Sequence, residues 1–368
     1  MINYNIDIIY ALELLLCSFL ASAYLVPNVK HIVYSKRLMD KPNERSSHTE
    51  STPSLGGIAF YITFIFALFF NDKYDISNTL ISILPGLTLM FFMGLKDDLV
   101  GSSPKIKFIS QILASLFIIQ NPFFQLETLH GLFGIEIMPM WISVPLSILI
   151  IITIINAYNL IDGIDGLAAS ISTMALSCFA ILFFYIGDNF LALTAIGMIG
   201  TLLGFLFFNL SEQKKIFMGD TGSLIIGFII AVMSLRMLTI NVNETLNLLP
   251  FKQEYIPILM GTIIFIPIFD VIRLVIIRTL QNRNPLSADR FHFHHIIVDK
   301  LNWSHRRSAF AICCINFVII ILSFTLIVLD FGIIKLIFLL AIIILFIAFI
   351  LTRWNKEIKS NQENTNLK

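Results

Sequence analysis

The chain has 368 residues, 57% of them hydrophobic and only 13% charged, about half the charged share of an ordinary soluble domain. Such a chain cannot cover itself with a polar surface, so a soluble globular fold is excluded. The net charge of +1 offers no basic field for nucleic acid, and the four cysteines (Cys17, Cys178, Cys313, Cys314) lie in apolar runs without metal-ligand or disulfide spacing.

Apolar runs recur along the whole chain, at 8–26, 55–70, 79–95, 106–120, 142–158, 167–187, 190–210, 222–240, 256–277, 309–329 and 333–351. They predict an all-α, polytopic integral membrane protein of about eleven spans, several near the lower length limit of about 17 residues. Each must be helical, because lipid offers no partner to an exposed backbone group. The first run is read as a retained span: no Lys or Arg precedes it, whereas Lys30, Lys36 and Arg37 follow. Residues 1–352 form one transmembrane domain with its motifs between 40 and 310, and 353–368 form a polar tail expected to be disordered.

An odd number of spans puts the termini on opposite sides. All of the 25 basic residues except Lys73, Arg236, Lys252 and Lys335 then fall on the side that receives the segment after the first span. By the positive-inside bias that side is cytoplasmic, the N-terminus is outside, and the C-terminus is inside. The outer connections are mildly polar, while the inner ones are dense in Asp, Asn, His, Arg and Gly.

Five inner clusters carry chemistry. In the first, Asp40-Lys-Pro-Asn-Glu-Arg45-Ser-Ser-His48 leads to Pro53-Ser-Leu-Gly56-Gly57. Arg45 and His48 can contact an anion while the glycines let backbone approach it; a positive-inside loop with a Pro/Gly turn would read the same way. Next, Lys96-Asp97-Asp98 ends the third span. Adjacent carboxylates repel unless they share a cation or proton, although a solvated helix end is equally compatible.

The third cluster is Asn156-Ala-Tyr-Asn159-Leu-Ile-Asp162-Gly-Ile-Asp165-Gly166. Asn156, Asn159, Asp162 and Asp165 step at i, i+3, so a continued helix would align all four on one face at the end of an apolar span. Oxygen ligands of this kind suit Mg²⁺ or Mn²⁺ rather than zinc, with a structural hydrogen-bond ladder as the other reading. In the fourth, Phe217-Met-Gly-Asp220-Thr-Gly-Ser223 opens the eighth span, either as an anion- and metal-binding helix start or as an ordinary N-cap. The fifth is Asp289-Arg290-Phe-His292-Phe-His294-His295, a zinc site or an anion cradle by composition, though without zinc-finger spacing. Upstream, Asp270 and Arg273 stand at i, i+3 and are expected to pair.

Taken in order, DKPNERSSHTESTPSLGG, Asp97-Asp98, NAYNLIDGIDGLA, FMGDTGS and DRFHFHH resemble the polyprenyl-phosphate N-acetylhexosamine-1-phosphate transferases, the superfamily of the WecA/TagO and MraY enzymes. The His-x-His-His form and the Lys-Asp-Asp cluster are similar to the WecA/TagO branch, since MraY carries three consecutive histidines and typically three aspartates. The resemblance implies transfer of an N-acetylhexosamine-1-phosphate, GlcNAc-1-phosphate foremost, from a UDP-sugar to undecaprenyl phosphate with release of UMP. The MraY-type phospho-MurNAc-pentapeptide transferase is the alternative.

It further implies Mg²⁺, with Mn²⁺ as a substitute, on Asp220 and Asn159. Asp97 or Asp98 would orient or deprotonate the lipid phosphate, and Asn156, Asp162, Asp165 and Phe217 would lie at the nucleotide. His48, Arg290, His292, His294 and His295 would cradle the diphosphate and sugar. The implied setting is the bacterial cytoplasmic membrane, at the start of a cell-envelope polysaccharide such as O antigen or teichoic acid, by a chain that could pair as a homodimer. A transporter or flippase would instead place its polar residues at the midplane of repeated halves, and no internal repeat is present.

Overall fold

The structure, a computed structural model, describes residues 8–36, 39–40, 52–68, 77–135, 137–240, 249–283 and 291–366. Its helices are α1 (Ile8–Lys36), α2 (Gly57–Leu68), α3 (Ser77–Val100), α4 (Pro104–Ile119), α5 (Met140–Ile161), α6 (Leu167–Ile186) and α7 (Asn189–Asn209). They continue as α8 (Gly219–Leu238), α9 (Ile256–Ile263), α10 (Phe265–Leu280), α11 (Phe293–Leu301), α12 (His305–Val328) and α13 (Ile333–Asn366). The one exception to this all-helical pattern among the described residues is a two-residue antiparallel pair, Met39–Asp40 (β1) against Thr52–Pro53 (β2).

Every predicted apolar run falls on a helix, but the runs are not all equivalent. Eight helices among the described residues are long and apolar enough to cross a membrane, and the bent pair α9–α10 would make nine. The chain is therefore a multi-pass membrane protein. The described parts of α2 and α4 are shorter, at 12 and 16 residues. A helix needs about 20 residues to span the hydrocarbon core.

Two expectations need correction. The run 256–277 is not one straight span, because the helical segments on either side of Ile264 meet at 74°. Pro267 disfavours a continuous helix there: in an unbroken one its ring would meet the carbonyl four residues back, at Ile263, and it has no N–H to donate. The tail after Arg353 is not irregular, because α13 continues through it to Asn366. There Trp354 and Ile358 pack against the core, and Glu357 accepts hydrogen bonds from Lys300 and from Arg353 Nε (3.2 Å).

The core forms around α8, the most enclosed span, in which 89% of the apolar window is buried against 6% for α13. Both α3 and α5 pack along α8, and α6 and α1 pack along α7. Lipid is as apolar as a leucine side chain, so close backbone approach between small residues must hold such helices together. In the α1–α7 seam, a Cβ on Gly200 would fall 2.3 Å from the Leu15 carbonyl. Ser22 Oγ donates to the Thr201 carbonyl at 2.8 Å across the same seam.

Polar contacts mark two opposite ends of the bundle. At one, Lys252 Nζ lies 2.6 Å from Asp330, Tyr255 donates to Asp330 (2.9 Å), and Arg236 Nε donates to Asp188 (3.2 Å). At the other end, the α3 C-terminus, the α4 and α8 N-termini and the α5 C-terminus come together. The described residues of the five sequence clusters lie at that end.

Candidate active site

The site is built on the first turn of α8. Phe217 donates its backbone N–H to the Pro53 carbonyl (2.8 Å), and Gly56 and Gly57 donate to the carbonyls of Phe217 and Met218 (3.0 Å each). The short β1–β2 pair thus ties the base of the first inner loop to the α8 start. Gly219 turns the chain into the helix at φ +72°, and a Cβ there would lie 2.6 Å from Asp98 Oδ2. That position admits only glycine, on conformation and on space alike.

Asp98 is the cap of α8. Its carboxylate accepts from the backbone N–H groups of Asp220 (2.8 Å) and Thr221 (3.0 Å), and from Thr221 Oγ1 (2.6 Å). These are the free donors and the positive end of the α8 dipole, satisfied here by a side chain from α3. Asp97, one residue earlier, points elsewhere: Lys107 Nζ of α4 lies 2.6 Å from its Oδ2 and also contacts Asp220 Oδ2. Asn159 of α5 donates Nδ2 to Asp220 Oδ1 (2.7 Å) and to Ser223 Oγ (2.8 Å). Four helices therefore meet at Asp220.

Asp162 and Asp165 lie past the end of α5, in a loop rather than on a continued helical face. Loss of hydration, and then the negative charges of Asp220, Asp98 and Asp165, push the Asp162 carboxyl well above the ordinary carboxylate range. Desolvation would raise Asp165 too, but His305 and Lys215 outweigh it and hold that carboxyl below its usual value. Lys215 Nζ lies 2.7 Å and His305 Nδ1 3.3 Å from Asp165 Oδ2. Lys215 also sits over the Phe217 ring, 5.1 Å from its centroid.

Asn156, one helical turn deeper, is turned inward. Its Nδ2 donates to Gln111 Oε1 (2.8 Å) and Gln111 Nε2 donates back (3.3 Å), a reciprocal lock between α4 and α5.

The histidines are held from α10. Asp270 Oδ2 lies 2.9 Å from His292 Nδ1, and Asp270 Oδ1 accepts the Phe293 N–H (2.9 Å) at the start of α11. Arg273 pairs with Asp270 as the spacing predicts (3.4 Å) and donates to the Phe291 carbonyl (2.9 Å). The ring centroids of His294 and His295 are 4.2 Å apart, and those of His292 and His294 5.6 Å. His294 lies against the Asp162-Gly163 loop so closely that a Cβ on Gly163 would stand 2.1 Å from its Nε2.

Of the predicted residues, Asp97, Asp98, Asn159 and Asp220 come together directly. Asp162 and Asp165 lie on the adjoining loop, with Phe217 beside Lys215 and His294 against Gly163. Asn156 is engaged with Gln111. His48 and Arg290 lie outside the described residues. Four contributors were not singled out from sequence: Lys107, Asn209, Lys215 and His305. Asn209 binds both sides of the site, accepting from the Gly166 N–H (2.7 Å) and donating to the Ile216 carbonyl (2.9 Å). A buried asparagine closing an otherwise apolar span was its available signal.

Glycosyl transferase family 4 is the family whose model matches the chain, over residues 80–238, a stretch that includes Asp97, Asp98, Lys107, Asn159 and Asp220. The probable undecaprenyl-phosphate N-acetylglucosaminyl 1-phosphate transferase of Bacillus subtilis (strain 168) is 33% identical over 306 residues, covering 82% of this chain and 80% of that one. The undecaprenyl-phosphate alpha-N-acetylglucosaminyl 1-phosphate transferase of Yersinia pestis is 31% identical over 265 residues, 71% of this chain and 69% of that one. The phospho-N-acetylmuramoyl-pentapeptide-transferase of Staphylococcus carnosus is 33% identical over 248 residues, 62% of this chain and 76% of that one. On this likeness, and on a site assembled from the motifs that carry it, the chain belongs to glycosyl transferase family 4, within the superfamily of the WecA/TagO and MraY enzymes.

Proposed function

We propose that the chain transfers N-acetylglucosamine-1-phosphate from a UDP-sugar to undecaprenyl phosphate at the cytoplasmic face of a bacterial membrane. The observation that carries this reading is the meeting of Asp97, Lys107, Asn159 and Asp220 at the N-terminus of the most buried helix. The names of the Bacillus and Yersinia relatives support the sugar and the lipid. In the reaction an oxygen of the lipid phosphate bonds to the sugar-proximal phosphorus, the bond from that phosphorus to UMP breaks, and UMP leaves with the electron pair. A phosphate monoester with its second pKa near 6 is mostly dianionic at neutral pH, so positioning matters more than deprotonation.

The donor set fits a divalent cation. Asp97, Asp98, Asp162 and Asp220 bring four carboxyl groups to one region, and Lys107 is the ammonium that contacts two of them, Asp97 and Asp220. Among the described residues no three His, Cys, Asp or Glu side chains form a metal cage. Mg²⁺ typically binds one or two carboxylates and completes its shell with water and substrate phosphate. Asp220 and Asn159 would hold it, and when bound it would offset the diphosphate charge and the charge growing on UMP.

The protein does the remaining work of orientation. With Asp98 committed to capping α8, Asp97 is the carboxylate placed to orient the incoming lipid phosphate. Asp162, Asp165 and Phe217 bound the nucleotide side, and the histidines at the start of α11 are those we assign to the diphosphate and sugar, a role the family resemblance also gives to His48 and Arg290.

Membranes holding the chain, supplied with Mg²⁺, undecaprenyl phosphate and labelled UDP-GlcNAc, should form a lipid-linked sugar and UMP. UDP-GalNAc and UDP-MurNAc-pentapeptide run alongside decide the sugar. Product from none of the three donors would overturn the reading, and product from the pentapeptide donor alone would replace it with the MraY-type reaction. Asp220→Asn should lower turnover by at least about a hundredfold, on the scale of losing one preorganised charge-stabilising group.

A further inference from the structure

Asp220 has both carboxylate oxygens occupied from within the protein. Oδ1 accepts the Asn159 amide at 2.7 Å, and Oδ2 is in contact with Lys107 Nζ. The same ammonium lies 2.6 Å from Asp97 Oδ2, so one tethered cation bridges α3 and α8. The three side chains are only 24%, 15% and 25% exposed (Lys107, Asp97, Asp220), enough for an ion to reach them and little enough for their charges to be weakly screened. A divalent cation on Asp220 would stand beside that ammonium and repel it.

We infer that Lys107 is a tethered counter-ion that competes with the divalent cation for Asp220: it holds the carboxylates together in the metal-free protein and leaves Oδ2 when the ion binds. The inference rests on Asp220 being the metal ligand. Lysine suits the part, since its ammonium is a compact charge on a flexible stem that can pivot without leaving the site. Once released from Asp220, the group remains within reach of Asp97 with donors to spare where phosphate oxygens arrive. Metal loading and phosphate recognition are thereby coupled through one side chain, and Lys107 is a positioning residue for both.

The test is Mn²⁺ binding to the purified full chain in detergent, followed by the electron paramagnetic resonance of free Mn²⁺, with no nucleotide or lipid present. Removing the competing charge in Lys107→Gln should tighten Mn²⁺ binding by about tenfold, equivalent to roughly 1.4 kcal/mol. Lys107→Arg should stay near the wild type, and Lys107→Met, which keeps the apolar stem, serves if the glutamine variant does not survive purification. Lipid-linked sugar formation should fall in both uncharged variants even at saturating metal. Unchanged or weaker Mn²⁺ binding in the uncharged variants, with the wild type binding normally, would overturn the inference and leave the metal site standing. Mn²⁺ binding equal in wild type and Asp220→Asn would instead remove Asp220 as the ligand, and the inference with it.

Discussion

At the residue scale, the site depends on contacts too close to tolerate added atoms. Gly163 has His294 Nε2 where its Cβ would be, at 2.1 Å, while Gly163 itself joins Asp162 to the helix that follows. Gly163→Ala therefore cannot be absorbed by the loop alone: either the histidine ring or the Asp162 carboxyl must move by about an ångström. Displacements of that size cost on the order of 10²-fold in rate when they separate groups that act together. The expected result is a loss of turnover of that order in the transfer assay, with thermal unfolding in detergent changed little. Wild-type turnover in Gly163→Ala would mean that the histidines do not act with the Asp162 loop. The residue scale is also where sequence reading reached furthest and then stopped. Asn159 stood out because polar side chains are costly at the end of an apolar span, whereas Asp220, which an ordinary N-cap would also explain, was singled out by the family resemblance. The division of labour between Asp97 and Asp98 was not legible, because adjacent residues differ only in which neighbour each faces. Contact with Thr221 on one side and Lys107 on the other separates them: the first lies far along the chain, the second on the next helix, and the sequence does not say which aspartate faces which.

At the scale of elements, what periodicity cannot foretell is where a span breaks. The run 256–277 reads as one helix because its hydropathy is unbroken, yet α9 and α10 meet at 74°. The consequence is functional, because α10 carries Asp270, which holds His292 and the first N–H of α11. Pro267→Ala restores an N–H and removes the ring that would meet the Ile263 carbonyl in an unbroken helix, so it favours a straighter helix and swings Asp270 away from His292. Pro267 stands in the first turn of α10, where proline is tolerated, so stability should change little. Turnover should fall at the same time. The measurement is the pair of values, thermal midpoint and kcat, on one preparation; a variant that retains full turnover would show that the bend does not set the histidines. The helical course of residues 353–366 belongs to the same scale. Polar composition there pointed to disorder, but Trp354, Ile358 and Glu357 have partners on the bundle that a local reading does not see.

At the scale of the whole molecule, charge and geometry single out the same end of the bundle. The site lies where α3 and α5 finish and where α4 and α8 begin, and Lys107, Lys215, Lys300 and Arg306 are at that end. The opposite end holds Arg236 and Lys252, each paired with an aspartate (Asp188, Asp330). This separation was readable from sequence because basic residues are expensive to translocate and so record the sidedness of a chain. The number of crossings was less readable, since the described parts of α2 and α4 are too short to identify as spans by length alone. The bias nevertheless makes a definite prediction about orientation. A cysteine placed at Ser360, in the polar C-terminal stretch of α13, should be shielded from a membrane-impermeant maleimide in intact cells and label only after permeabilisation. A cysteine at Asn71, between α2 and α3, should label in intact cells. Background from Cys17, Cys178, Cys313 and Cys314 is removed by replacing them with alanine or serine. The reverse pattern would put the site outside, where a nucleotide sugar made in the cytoplasm could not reach it, and the direction of transfer proposed above would fail with the topology.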